Sequence, residues 1–356
     1  RRRYGDVAVT RTLVALAAGE TGDARREAAR ARRLLGDSPQ TLLLAAEAGR
    51  LAGSEAEAET AFRALTERED GAFLGYRGLL RQAMERKDWV EAAGLARKAE
   101  AAHPGAAWLR GERAQLAIRT GAWSEALALA DPDAPKAALA CAAADVEADA
   151  AHGMRLARQA WTEDPSLVAA ALVYARRLRE AGRETRAQDV IRKTWATNPH
   201  PALADFALAP TTDPLHRVQE AKRLAQENPD HPESHLLLGQ VSLAAGLTGE
   251  ARRHAEAARD GGLLDRRVWL LFADIEEAEH GDTEEGRAAQ RDALRQAAVA
   301  PAEPGWHCTS CGAPQPKWQA ACPVCGTVGS IRWGPEGARQ EGALVSHEPQ
   351  PVAVPI

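Results

Sequence analysis

The stretch that decides the fold is "LREAGRETRAQDVIRKTWATNP", residues 178–199. It opens with the end of an apolar-periodic run, turns at Ala181-Gly182, and starts a second run that places Ala187, Val190, Ile191 and Trp195 on one helical face. Asn198-Pro199 closes it, because the residue before a proline avoids the α region. A glycine between two amphipathic runs and a proline after the second describe an antiparallel pair of helices. "RKDWVEAAGLARKAEAAHP", residues 86–104, has the same plan with Lys87 at the turn.

Working outward, equivalent turn points fall at Gly22, Gly53, Lys87, Gly121, Ala148, Gly182, Thr212, Gly246 and Gly281. Their spacings are 31, 34, 34, 27, 34, 30, 34 and 35 residues. Five residues after each point stand Glu27, Ala58, Ala92, Ala126, Gly153, Ala187, Arg217, Ala251 and Gly286, and seven of these nine are Ala or Gly. Two helices of three to four turns with short connections consume about 34 residues. A small residue early in the second helix lets its backbone approach the first. Neither helix buries its apolar stripe alone, so each pair leans on the next. The reading is all-α: a right-handed α-solenoid of about nine helix hairpins over residues 6–298. The pair around Thr212 has a short, proline-interrupted first helix, and the pair at 134–165 is offset.

Composition agrees. Of 356 residues, 45% are hydrophobic and only 4% aromatic, which supplies a core built largely from alanine and leucine. The net charge of −5 lacks the basic excess of a dedicated nucleic-acid binder. Basic residues concentrate at the start, Arg1, Arg2 and Arg3 leading to Arg25, Arg26, Arg30, Arg32 and Arg33. Residues 1–5 read as a basic flank of the kind found on the cytoplasmic side of a membrane helix, the alternative being a solvated helix start. No run approaches 18 apolar residues.

The sharpest motif is Cys308-x2-Cys311-x10-Cys322-x2-Cys325, with Gly312 and Gly326 following the two pairs. Each Cys-x-x-Cys forms a knuckle that aims two thiolates at one ion, and two knuckles complete a tetrahedral sulfur site. Four protein ligands leave no position for water, so the site is structural. Zinc is the expected ion and iron the alternative. Residues 306–333 thus form a zinc-ribbon or rubredoxin-like module after a Pro/Gly linker at 299–305; residues 334–356 read as a disordered tail. Trp306, Trp318 and Trp333 are read as its apolar shell, with base stacking as the lesser alternative, and His307 as a spare ligand at most. The module is expected to cap the last hairpin. Cys141, alone in an alanine-rich run, is read as a buried small hydrophobe.

No phosphate-binding glycine loop, zincin motif or nucleophile elbow is present, so no catalytic residue is expected. His103, His152, His200, His216, His254 and His280 fall at helix ends and faces, where capping is the ordinary role; His231 and His235 stand one turn apart and are read as an exposed helix face rather than a metal pair. Trp89, Trp108, Trp123, Trp161, Trp195 and Trp269 are read as packing between hairpins. Arg11, Arg50, Arg77, Arg81, Arg110, Arg113, Arg176 and Arg177 lie on first helices, where they either line a groove for an acidic partner or form a solvated face.

The hairpin period and its small residues resemble the tetratricopeptide repeat (TPR). The opening "RRRYGDVAVTRTLVALAAGETGDARREAARARRLL", with "QTLLLAAEAGRLAGSEAEAETAFRAL" and "FLGYRGLLRQAMERKDWVEAAGLARKAEAAHPGAAWL", is similar to the HemY family of proteobacteria. The C-terminal "GWHCTSCGAPQPKWQAACPVCG…IRW" is similar to the metal-binding end of some members and to the rubredoxin-like end of LapB. The HemY resemblance implies membrane helices upstream, a place on the cytoplasmic face of the bacterial inner membrane, no catalytic activity, and protein partners among the enzymes of tetrapyrrole (haem) synthesis. The LapB resemblance implies instead a regulatory adaptor for a membrane protease in lipopolysaccharide synthesis. Family clamps for terminal carboxylates use asparagines on first helices; the only asparagines here, Asn198 and Asn228, close units, so that activity is not carried over.

Overall fold

A computed structural model describes residues 1–335, as two compact units, 1–132 and 133 onward. Most of the tail read at 334–356 therefore lies outside the described residues. Unit 1 runs α1 (Arg2–Ala18), α2 (Thr21–Leu35), α3 (Pro39–Leu51), α4 (Glu55–Thr66), α5 (Ala72–Glu85), α6 (Trp89–Ala102), α7 (Ala107–Thr120) and α8 (Trp123–Leu129). Unit 2 begins with α9 (Lys136–Val146), α10 (Ala150–Glu163), α11 (Val168–Glu180), α12 (Glu184–Thr197), α13 (Pro201–Leu208) and α14 (Pro214–Ala225). It continues through α15 (Pro232–Ala244), α16 (Thr248–Asp260), α17 (Arg266–His280) and α18 (Glu284–Val299), then three short strands. The 18 described helices pair as nine TPR-like hairpins. Residues 2–5, read as a basic flank, are the first turn of α1. Among the described residues no helix is long and apolar enough to cross a membrane.

The turns repeat one device. Glu20, Ser54, Asp88, Ala122, Arg183 and Leu247 each donate their amide to the carbonyl five residues back, and the residue before each is left-handed: Gly19, Gly53, Lys87, Gly121, Gly182 and Gly246, at φ between 60° and 72°. This is the 6→1 bond of a Schellman stop, and glycine meets its backbone without strain. It also corrects the first register. The turn lies at Gly19, not Gly22, which is inside α2; the interval to Gly53 then becomes 34 residues and the small residue five on is Ala24, fully buried. Ala58, Ala92, Ala126, Ala187 and Ala251 are likewise buried, each 0–1% exposed.

Where the pattern departs, the structure compensates. Arg217 occupies the small-residue position on α14 and donates through Nη1 to the carbonyls of Leu208 (3.1 Å) and Thr211 (3.0 Å), closing the short α13. Helix α8 has only seven residues, the shortening behind the 27-residue interval after Gly121, and is followed by Pro132 and Pro135. In unit 2 the odd-numbered helices touch in series from α9 to α17, the inner row of a repeat stack.

Adjacent hairpins are pinned by polar groups as well as by alanine. Trp195 Nε1 donates to Ser234 Oγ at 3.0 Å, and Trp161 Nε1 to Thr194 Oγ1 at 3.0 Å, so these tryptophans do pack between repeats. Asn198 donates to the Ser166 carbonyl and Asn228 to the Ala196 carbonyl, each 32 residues back. The arginines of the first helices are largely consumed internally. Arg50 pairs with Glu47 (2.8 Å), Arg113 with Glu125 (2.8 Å) and Arg176 with Asp145 (3.4 Å), while Arg177 holds the carbonyls of Ala144 and Glu147. Cys141 is fully buried, and burial pushes its thiol up to about 12, so it behaves as a hydrophobe.

Candidate metal centre

After α18 the chain forms an antiparallel sheet in the order β2-β1-β3, from β1 (Gly305–Cys308), β2 (Pro314–Gln315) and β3 (Ile331–Gly334). The register sets Trp306 opposite Gln315 and Trp333, and Cys308 opposite Ile331. Each knuckle closes on a left-handed glycine. Gly312 (φ 77°) donates to the Cys308 carbonyl and Gly326 (φ 75°) to the Cys322 carbonyl, both at 2.8 Å. A side chain at either φ would be strained, which is why each pair is followed by glycine.

These turns bring the four cysteines together. Their sulfurs all lie within 4.8 Å of one another, with Cys308–Cys325 and Cys311–Cys322 each at 3.7 Å. Zinc–sulfur bonds of about 2.3 Å in a tetrahedron put the sulfurs roughly 3.8 Å apart, whereas a disulfide needs about 2.05 Å. The donor set therefore fits a tetrahedral ion such as zinc, and Cys308, Cys311, Cys322 and Cys325 would hold it. Cys308 and Cys322 are buried, Cys311 is half-buried and Cys325 is exposed.

Backbone amides point at the sulfurs, those of Ser310 and Cys311 at Cys308 and those of Val324 and Cys325 at Cys322. Burial pushes the Cys325 thiol up, but the Thr327 hydroxyl and amide and the neighbouring thiols overcome it and hold Cys325 down at about 6. Cys308 is also lowered, by Ser330 and two amides against burial; Cys311 is driven up to about 12, by burial first. Two lowered thiols, Cys308 and Cys325, beside two that burial raises, Cys311 and Cys322, are what a shared proton inventory looks like before an ion replaces the protons. His307 is outside the cluster. Its Nδ1 lies 3.4 Å from the Gly305 carbonyl, two residues back on the same strand.

The tryptophans divide their work. Trp306 and Trp318 pack on the buried cysteines and Ile331. Trp306 and Trp333 also face outward onto His200, the N-cap of α13, at ring-centroid distances of 5.3 and 4.6 Å, and onto each other at 5.3 Å. Gly329 approaches Pro135, the N-cap of α9, so closely that a Cβ there would sit 2.7 Å from the proline ring. The Arg266 amide donates to the Pro301 carbonyl. The expected cap on the last hairpin is thus replaced by a clasp. The module lies against the starts of α9 and α13, and α18 keeps Leu294 and Val299 exposed. No sequence pattern announced His200 as the anchor. It is only 3% exposed, its Nδ1 accepts the Ala202 amide, and burial, with the field of Arg267, lowers its pKa to about 4.

No family model matches the sequence. Over 199 residues the chain is 32% identical to the "Probable magnetosome protein Mms48" of Magnetospirillum gryphiswaldense, covering 55% of this chain and 43% of that protein. The chain thus matches less than half of that relative's length. Among solved structures, it is similar to the TPR2AB domain of yeast Sti1 in its Hsp90 complex (11% identity, 84% of this chain and 100% of that one, TM-score 0.35). It is also similar to yeast Tom70 (12% identity, 83% and 77%, TM-score 0.34). A MamA structure gives 18% identity over 43% of this chain and 94% of that one, at a TM-score of 0.24.

Proposed function

We propose that the chain is a non-enzymatic scaffold whose hairpin repeats bind protein partners, and that the sulfur module clasps one part of the array. The observation that carries this reading is a cavity of about 260 Å³ on the inner row of unit 2. Leu236, Leu237 and Val241 give it apolar lining while Asp205 and Gln240 offer polar groups. Such a lining suits an extended segment of another protein better than a single anionic cofactor. Beside it Arg267 is bound to Asp265 (2.7 Å) and to Glu233, so the rim is rigid before any partner arrives.

The finer reading follows the resemblance to the HemY family. The scaffold is tethered through upstream segments to the cytoplasmic face of the inner membrane, and its partners are enzymes of tetrapyrrole synthesis. The supporting feature is the basic, apolar start of α1, with Tyr4 and Val7 exposed within two turns of Arg1, Arg2 and Arg3. The sequence likeness to Mms48 favours a second reading, a scaffold in a magnetosome-type assembly. Crosslinking and affinity capture of the full-length protein, with Gln240→Arg and Ala244→Arg, both at exposed positions of the lining, as groove-blocked controls, tests all of them. Tetrapyrrole enzymes captured by the native groove, with porphyrin accumulation on deletion, support the first. Altered lipopolysaccharide without porphyrin accumulation would transfer it to the LapB-like adaptor. Partners captured equally by the blocked variants would remove the groove from the account.

A further inference from the structure

Four residues of the short helix α13, Pro201, Ala204, Asp205 and Leu208, line the inner-row groove, and their spacing makes them one face of that helix. Helix α15 supplies Leu237, Gln240 and Val241 to the same groove. With eight residues α13 is too short to hold itself, since isolated helices below about 12–15 residues are marginal in water. Its C-terminal carbonyls are fastened to neighbouring hairpins: Arg179 donates to Phe206, Gln188 to Ala207 and Arg217 to Leu208. Its N-terminus is fastened differently. His200 accepts the Ala202 amide on Nδ1 at 3.0 Å, and its imidazole lies against Trp306 and Trp333 of the ribbon. Trp306 reaches further, packing both on the buried cysteines and on the long apolar cluster that contains Leu203 and Ala204.

We propose that the four-cysteine module governs the groove: with its ion site occupied the ribbon holds the α13 wall in place, and emptying the site frees that wall and weakens the binding of a partner segment. The proposal rests on the reading of the groove as a partner site. A ribbon of about thirty residues depends on its ion for its fold, so occupancy decides whether the two indoles are presented at all. Trp306 stands two residues from Cys308 on β1, and Trp333 is its register partner on β3, so both are placed by the strands that the knuckles join. The clasp is also built to let go. Because Nδ1 of His200 accepts, the proton is on Nε2, which is buried with no hydrogen-bond partner among the described residues. Packing on the indoles offsets that cost, and water satisfies the nitrogen once the ribbon leaves. Release therefore strips the apolar cover from the start of α13 while Arg179, Gln188 and Arg217 keep its far end tied. The change stays local: the turn that carries Pro201 and Ala204 into the groove opens, and the hairpins around it keep their cores.

The test is hydrogen exchange, read by mass spectrometry, on the full chain loaded with zinc and again after EDTA removes it. The amides of residues 202–208 are expected to exchange about tenfold faster in the stripped protein, while those of α17 and α18 keep their rates. Trp333→Ala separates the clasp from the ion, because Trp333 touches His200 and is not among the side chains packed on the buried cysteines. It should retain its zinc, by elemental analysis, and yet show the fast α13 exchange that EDTA produces in the unsubstituted protein. His200→Asn breaks the same contact from the repeat side, keeps a capping side chain, and should match it. Unchanged α13 exchange on stripping overturns the proposal. So does acceleration spread evenly from α9 to α18, or a zinc-loaded His200→Asn whose α13 stays as protected as the original. The groove's function is read separately, by crosslinking partners to the loaded and stripped protein. Partners captured only by the loaded form support both readings. An α13 that answers to zinc while capture does not change would keep the coupling and remove the partner from the groove.

Discussion

In the hairpin of α11 and α12, Ala171, Ala175, Leu178, Ala187, Val190 and Ile191 are all 5% exposed or less, and every one of them touches a neighbour in the same long cluster. In the ribbon at 305–334 the buried side chains that pack together are Cys308, Cys322 and Ile331, with Trp306, Trp318 and Cys311 against them. The first region spreads its stability over many small apolar contacts, so a single loss is shared. The second would concentrate it in the ion that its four sulfurs can hold, because about thirty residues bury too little surface to fold alone. The difference is tested most harshly by removing the ion. Chelation, or Cys322→Ser, is expected to withdraw folding free energy on the order of 10 kcal/mol from the ribbon. Trypsin should then cut after Lys317 and Arg332, while far-ultraviolet circular dichroism keeps nearly all of its helical signal. A chelated ribbon that stays protected, or a helical signal that collapses with it, would erase the contrast.

The repeat region has its own intolerant points, where backbones approach closest. A Cβ on Gly78 of α5 would lie 2.3 Å from the ring of Phe62, which is 1% exposed and has nowhere to swing. Gly78→Ala is therefore expected to cost about 2–3 kcal/mol in denaturant unfolding. Gly94 in α6 has nothing within 4 Å of the same atom, so Gly94→Ala should instead gain about 0.5–1 kcal/mol from helix propensity. Equal effects at the two sites would show that close helix approach is not what the glycines of this array provide.

The clasp joins the two regions and carries a pH signature. His200 is held neutral with a pKa lowered to about 4, whereas in the unfolded chain an imidazole titrates near 6.5. As pH falls through that window the unfolded state takes up the proton first, so stability present above about 6.5 is lost progressively toward 4. The full loss is on the order of 3 kcal/mol. Because the cysteine ligands also take up protons in acid, the informative quantity is the difference from His200→Asn, which keeps the helix cap but cannot titrate. The variant should show a shallower slope of unfolding free energy between pH 6.5 and 4. Identical slopes would mean that the imidazole is not what the two tryptophans grip.

How much of this was legible in the sequence depends on the range of the interaction. Hairpins recur because a local code, a left-handed stop followed five residues later by a small side chain, repeats within each unit; even the misplaced Gly22 lay only three residues from the working turn at Gly19. The cysteines were legible for the same reason, since each knuckle is closed within five residues by Gly312 or Gly326. The clasp was not. His200 meets Trp306 and Trp333 across more than a hundred residues, and nothing local to any of them encodes the meeting. His231 and His235, read as one exposed face, part company: His231 caps α15, and His235 shares a hydrogen bond with His254, Nδ1 to Nδ1 at 3.1 Å. That pair falls between these cases. Nineteen residues is no helical spacing, and the pair exists only because a hairpin folds α16 back along α15.

The smallest expected effect lies in the turn shared by both regions. Of the six such stops that join the two helices of a hairpin, five place glycine at the left-handed residue, and the sixth places Lys87 there at φ 60°. Left-handed backbone costs a side-chain-bearing residue about 1–2 kcal/mol, and glycine returns part of that through the greater freedom it gives the unfolded chain. Lys87→Gly should therefore stabilise unit 1 by only about 0.5 kcal/mol, read as a small rise in the denaturation midpoint. The reciprocal Gly326→Ala in the ribbon should cost more than the equivalent change at Gly182 in the α11–α12 turn, although the two residues have φ of 75° and 70°. At Gly182 a strained turn is absorbed by a hairpin packed on both sides. At Gly326 the same strain displaces the amide bonded to the Cys322 carbonyl and, through it, a sulfur. Weaker zinc retention in Gly326→Ala, beside a nearly unchanged helical unfolding midpoint in Gly182→Ala, is the expected pair of outcomes. Equal losses at both turns would mean that the ribbon tolerates strain as the repeats do, and that its stability is less concentrated in the ion than its small core requires.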